Sequence, residues 1–252
     1  MKTDVTISTP EGDARAYVFT PDSGEGPWPA VLFYMDGPAI RPALFEMAER
    51  MAQAGYYVLL PDMFWRAGPY EPFKLAEIFG TPEARKAFRD RYFSSTSPER
   101  SMADTCAFLD WLDSQPQADA RKVGTTGYCM GGAISLRAAG TFPDRIAAAA
   151  SFHGGNLATE DPSSPHRLAP AIRAKVLVAG ADEDAGYDEA QNARLEAALS
   201  DAGVDADVSI WRGLKHGWVP RDMPVYDPEG AERHWRALIA LFDGALRPGR
   251  GA

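Results

Sequence analysis

Gly127-Tyr128-Cys129-Met130-Gly131-Gly132 sets a thiol among glycines, after the apolar run Val123–Thr126 and before a helical pattern starting near Ala133. Strand, sharp turn and helix in that order form the setting of a nucleophile elbow, in which the turn lifts one side chain above the sheet. Gly127 and Gly131 leave out a Cβ where the strand and helix backbones crowd together. The turn aims the N–H of Met130 and the positive end of the following helix at the reacting centre, a field that favours a thiolate and stabilises an oxyanion. The chemistry this predicts is nucleophilic attack by Cys129.

A thiol nucleophile needs a base, and the base needs a group to orient it. The chain has four histidines. His216, in Gly213-Leu214-Lys215-His216-Gly217-Trp218, follows the last apolar run and precedes the last helical pattern, where the order nucleophile, acid, base puts the base. His153 follows the strand after the elbow helix and reads as a substrate contact. His166 lies in a proline-flanked loop, and His234 sits in the end helix as a packing or surface residue. The acid belongs after Lys175–Ala179, a strand expected to end by Gly180, where Gly180-Ala181-Asp182-Glu183-Asp184 offers Asp182 and Asp184 as alternatives. Asp184 is preferred because it leads into the approach to the next helix.

The elements that must hold these residues are short. Val5–Ser8 and Ala14–Phe19 read as an antiparallel hairpin around Thr9-Pro10-Glu11-Gly12. The apolar runs Ala30–Met35, Tyr56–Leu60, Val123–Tyr128, Ile146–Phe152, Lys175–Ala179 and Ala206–Trp211 read as strands buried on both faces. Helical patterns over Leu44–Ala54, Met102–Asp113, Glu189–Ala202 and Glu229–Phe242 separate them. This alternation predicts an α/β fold, a doubly wound, mostly parallel sheet with an antiparallel start, as a single domain over residues 1–252. Pro69–Pro98, rich in proline, aromatics and arginine, breaks the rhythm and is expected to form a lid or pocket wall. Met63-Phe64-Trp65 is expected to pack beneath it. Cys106 falls on the apolar stripe of Met102–Asp113 and reads as a buried core thiol, and the tail from Arg247 reads as frayed.

Composition narrows the function. Of 252 residues, 45% are hydrophobic and 24% charged, with 35 acidic against 26 basic residues and a net charge of −9. That balance argues against a nucleic-acid or anionic-membrane binder. The longest apolar runs fall far short of the ~20 residues that span a bilayer, and the N-terminus lacks a signal core. Two cysteines are too few for a secreted disulfide scaffold, so a reduced, cytoplasmic protein is expected. The scattered His and Cys offer no metal-ligand spacing. No glycine-rich nucleotide loop opens a βαβ unit, so no cofactor is expected.

With Gly127–Gly132 and His216-Gly217-Trp218 in hand, the chain resembles the dienelactone hydrolase family of α/β-hydrolases from about Val5 to Phe242. Most of that superfamily carries Ser where Cys129 stands. Ala181-Asp182-Glu183-Asp184-Ala185-Gly186-Tyr187 resembles the family's acid loop, which supports Asp184. The resemblance implies an α/β-hydrolase fold and a Cys129–Asp184–His216 triad. It also implies an oxyanion hole of the Met130 and Gly37 N–H groups. The family prototype carries a Glu close to the resting Cys; Asp36 occupies the matching place, one methylene shorter. The prototype also holds a substrate carboxylate with arginines, for which Arg221, Arg85, Arg89 and Arg91 are loose counterparts. Tyr34, Tyr70, Tyr92 and Trp218 are further candidate pocket walls. The expected activity is hydrolysis of a small-molecule carboxylic ester or enol-lactone through a thioester to Cys129. A redox-sensing or ligand-binding protein, or an acyltransferase, are the alternatives.

Overall fold

The computed structural model describes residues 1–74, 78 and 80–247. Eight strands form one sheet: β1 (Lys2–Thr9), β2 (Gly12–Phe19), β3 (Trp28–Tyr34), β4 (Tyr57–Pro61), β5 (Ala118–Tyr128), β6 (Ile146–Phe152), β7 (Lys175–Ala181) and β8 (Ala206–Trp211). Their order is β1-β2-β4-β3-β5-β6-β7-β8. The β1–β2 and β2–β4 pairs are antiparallel and the remaining pairs parallel. The expected α/β sheet with an antiparallel start is therefore the observed one. Every residue of β4, and Ala30–Tyr34 of β3, is buried, as a strand covered on both faces requires.

Beside three short 3-10 turns, the described residues form six α-helices: α1 (Pro42–Gln53), α2 (Pro82–Tyr92), α3 (Pro98–Asp113), α4 (Met130–Thr141), α5 (Glu189–Asp201) and α6 (Pro228–Leu246). Helix α1 buries Ala43, Leu44, Met47, Ala48, Met51 and Ala52, a stripe at three- and four-residue spacing. Side-chain caps fix where others begin. Thr81 accepts from the Ala84 N–H, Asp188 from Gln191 and Asp227 from Gly230.

Four expectations are corrected. β7 runs to Ala181 rather than ending by Gly180, because its ladder with β8 continues to the Ala181–Trp211 pair. Helix α3 begins at Pro98, not Met102, with Ser97 accepting from the Arg100 N–H. Cys106 is exposed. The buried stripe of α3 is Ser101, Asp104, Thr105, Phe108, Leu109 and Leu112, and Cys106 lies off it. Its polar neighbours Asp104 and Thr105 are inside because they have partners, Arg66 and Tyr34. Finally, Arg247 is anchored on Gly55 O and over the Tyr56 ring, while the rest of the tail, 248–252, lies outside the described residues.

The described part of Pro69–Pro98 is pinned by aromatic packing. Phe64 sits 5.4 Å from Tyr92 and 5.6 Å from Phe93, and Phe73 packs edge-on against Phe88 at 4.7 Å. Residues 75–77 and 79 lie outside the described residues.

Candidate active site

The elbow is built from missing atoms. A Cβ on Gly127 would lie 1.9 Å from the Gly131 carbonyl oxygen, and one on Gly131 would lie 2.5 Å from that of Met35. Both distances are impossible contacts, so only glycine lets α4 start this close to β5 and β3. Between them Cys129 adopts φ 54°, ψ −118°, a conformation that costs a non-glycine residue about 1–3 kcal/mol. The backbone N–H of Cys129 donates to Phe152 O (3.1 Å) and His153 Nδ1 (3.2 Å). Its thiol is partly buried and lines the same pocket as His216, whose charged form it favours. The first N–H groups of α4 have no acceptor within the helix, and Met130 supplies the first of them.

His216 is delivered by the turn after β8. Asp182 shapes that turn, accepting from the Gly213 N–H (2.9 Å) and Arg212 (3.0 Å), and its own N–H donates to Leu214 O. Glu183 then takes a left-handed φ of 53°, which swings Asp184 back toward the histidine. Asp184 Oδ2 lies 2.6 Å from His216 Nδ1, and Oδ1 accepts from the Gly186 N–H at 2.8 Å. Of the two alternatives, Asp184 touches His216 and Asp182 does not. Burial disfavours the charged imidazole, but the Asp184 carboxylate and the Cys129 sulfur outweigh it and raise His216 to about 10. Asp184 is in turn held below its ordinary value: burial opposes ionisation, and His216 and the Gly186 N–H overcome it.

Asp36 does not stand free beside the thiol. Both its oxygens are gripped by Arg41, at 2.5 and 2.9 Å, and the pair is almost fully buried. Arg41 also reaches Asp222, at 2.5 and 3.2 Å, and Ala39 O. One guanidinium thereby ties the loop after β3 to the loop after His216. Burial pushes the Asp36 carboxyl upward, and the guanidinium opposes that push. Sequence reasoning missed Arg41 and Asp222. The available signal was an arginine within the otherwise apolar stretch Gly37–Leu44, which cannot be buried there without a carboxylate.

His153 is buried at φ 39°, its ring 5.1 Å from that of His216. Desolvation, and then the neighbouring His216 and His234, hold it well below the usual histidine range. Accepting the Cys129 N–H at Nδ1 puts its proton on Nε2. Trp218, expected as a pocket wall, instead lies fully buried behind His153 at 5.0 Å between rings. Tyr34 and Tyr70 bond Thr105 and Asp62 and lie outside the pocket lining. His234 is buried against the Tyr128 hydroxyl (2.8 Å), and His166 contacts Ser164.

A pocket of about 320 Å³ opens over Cys129 and His216. Its walls include Asp36, Gly37, Pro38, His153 and Gly217, with Ile78, Phe88, Phe93 and Met223 as apolar sides. The exposed Arg85 and Arg89 of α2 stand at the rim, and Arg221 is not part of it. Among the described residues no cluster of His, Cys, Asp or Glu is arranged to hold a metal ion, and no helix is long and apolar enough to cross a membrane.

A Yersinia pestis protein provisionally named a carboxymethylenebutenolidase is 24% identical over 95% of this chain and 86% of its own length. Among solved structures, a provisionally named dienelactone hydrolase from Klebsiella pneumoniae superposes with a TM-score of 0.83 at 21% identity, covering 96% of this chain and 98% of that one. A dienelactone hydrolase-like promiscuous phosphotriesterase from metagenomic libraries superposes at 0.75 and 24% identity, covering 97% and 99%. These likenesses show the fold. The dienelactone hydrolase family profile matches residues 14–246, nearly the whole chain, and this chain belongs to that family of hydrolases.

Proposed function

We propose that the protein hydrolyses carboxylic esters or lactones, with Cys129 as nucleophile, His216 as proton carrier and Asp184 as the group that orients it. The observation that carries this reading is the strained Cys129 at the start of α4, sharing its pocket with a histidine whose Nδ1 lies 2.6 Å from a carboxylate.

His216 takes the Cys129 proton, and Asp184 stabilises the resulting imidazolium. The thiolate attacks the carbonyl carbon, and the electron pair moves onto the carbonyl oxygen. The N–H groups of Met130 and Gly37 receive that oxyanion, helped by the positive end of α4. As the tetrahedral adduct collapses, His216 gives its proton to the departing alkoxide or enolate, leaving a thioester on Cys129. In a lactone the departing oxygen stays tethered to the acyl group. Water then attacks the thioester while His216 accepts its proton, and the acid leaves as the thiolate reforms. The apolar walls Ile78, Phe88, Phe93 and Met223 suit a small hydrophobic substrate. A thiolate is a better leaving group than an amide nitrogen, so activated esters, enol-lactones and thioesters are expected to turn over and peptides are not.

The test is turnover of a chromogenic acetate ester and of an enol-lactone by the native protein and by Cys129→Ala. The variant should lose at least roughly 10³-fold in kcat. Undiminished hydrolysis by folded Cys129→Ala would overturn the assignment. Absence of all ester turnover in the native protein would favour the redox-sensing or ligand-binding alternatives.

A further inference from the structure

A second cavity, about 520 Å³, adjoins the first. Phe93 lines both, and a Cβ on Gly37 would lie 3.2 Å from the Phe93 ring, so this ring stands over the oxyanion loop as the partition. The floor of the second cavity is one face of α4: Met130, Ala133, Ile134 and Arg137, spaced as successive turns of a helix. It starts at the residue after the nucleophile and ends at a guanidinium.

That guanidinium is unusual. Arg137 is partly buried, yet it makes no ion pair among the described residues; its one hydrogen bond is to the Ser163 carbonyl, at 2.6 Å. Burial pulls it below its ordinary value, a penalty that the more distant Glu99 and Asp161 only partly offset. Asp161 also lines the cavity, but it is exposed and its Oδ1 is occupied by the Ser163 N–H and hydroxyl. An arginine losing hydration with no carboxylate in contact can accept an anionic partner from outside.

The two cavities face the two halves of an ester. The departing oxygen must lie beside His216, which with Gly217 and Met223 lines the first cavity. That leaves the direction past Met130, which lines the second cavity, for the acyl chain. We infer that the second cavity binds the acyl arm of the substrate and that Arg137 anchors a terminal carboxylate on that arm. From Met130 to Arg137 the helix rises roughly 10 Å, which sets the reach of the arm. The allocation of arms rests on the proposed nucleophile; the anion site does not.

The experiment uses p-nitrophenyl half-esters of succinic, adipic and suberic acids beside uncharged alkanoyl esters of equal length. The preference for the charged ester should appear at the longer arms and be absent for succinate. Arg137→Gln should lower kcat/KM for the suberyl half-ester about ten- to a hundredfold more than for the octanoyl ester, and Arg137→Lys should keep part of the preference. Equal losses on both esters, a preference independent of arm length in the native protein, or a preference that moves with Arg85→Gln or Arg89→Gln would each overturn the inference. Calorimetry of suberate monomethyl ester against methyl octanoate on Cys129→Ala separates it from the hydrolytic reading. Turnover without a charge preference sinks the anion site alone. Charge-selective, Arg137-dependent binding without turnover sinks the hydrolase reading alone.

Discussion

Asp184 and Asp36 both stand just past the C-terminal ends of parallel strands, and both hold a cationic side chain at hydrogen-bond distance. The cations differ in one respect. His216 can hand its proton to a reacting group and take one back, and Arg41 cannot. Asp184 thus controls a group that can carry protons, while Asp36 secures a guanidinium that joins two loops. Two carboxylates of similar placement are given different work by their partners.

Removing each partner should separate the two roles. On the proposed mechanism, Asp184→Asn keeps the fold and loses roughly 10²–10⁴ in kcat, since the amide no longer favours the imidazolium. Denaturant midpoints and steady-state rates measured together would check this. Arg41→Met strips the countercharge from a buried carboxylate and should cost about 3–5 kcal/mol in urea unfolding. Replacing Asp36 by Leu in the same chain should recover much of that loss, because the carboxylate left without Arg41, Asp222, is partly exposed to water. If the double variant is as unstable as Arg41→Met, the pair is not what makes that single change costly.

The pH dependence sharpens the contrast. His216 is raised to about 10 from an ordinary 6.5, so the folded state holds its proton more tightly than the unfolded chain does. Its contribution to stability is complete below about pH 6.5 and is lost as pH rises through about 10. With His216 as the acid that protonates the leaving group, kcat/KM falls over the same alkaline limb. In Asp184→Asn that limb should move to lower pH, whereas Asp36→Asn should leave it nearly in place. A smaller effect is expected at His153, whose left-handed backbone and Nδ1 acceptor Asn can imitate and Leu cannot. His153→Leu should therefore lower thermal stability more than His153→Asn, read by melting temperature. Cys106→Ser, exposed and off the buried stripe, should change neither rate nor stability measurably.

The elbow was legible because its requirements are local: glycines on either side of one cysteine, at a strand–helix joint. The sheet was legible for a similar reason, since strands buried on both faces are written as continuous apolar runs. The choice between Asp182 and Asp184 was harder. Both lie in one loop, and their separate fates depend on β7 reaching Ala181 and on the left-handed turn at Glu183. The apolar surroundings of Arg41 mark it as a residue in need of a carboxylate, but its contact with Asp222 spans 181 residues, so no local pattern names that partner. Cys106 was misplaced because its apolar character suggested burial, while Asp104 and Thr105, with distant partners, took the inner face of α3.

The central claim is that Cys129 carries the acyl group. Quenching the native protein during turnover of a chromogenic ester and mapping the adduct by peptide mass spectrometry tests it most directly. The account predicts one acyl group per chain, on Cys129, forming as fast as the first equivalent of alcohol is released. Rapid turnover with no adduct on Cys129 under conditions that trap thioesters, or an adduct formed at that rate on another residue, would contradict it.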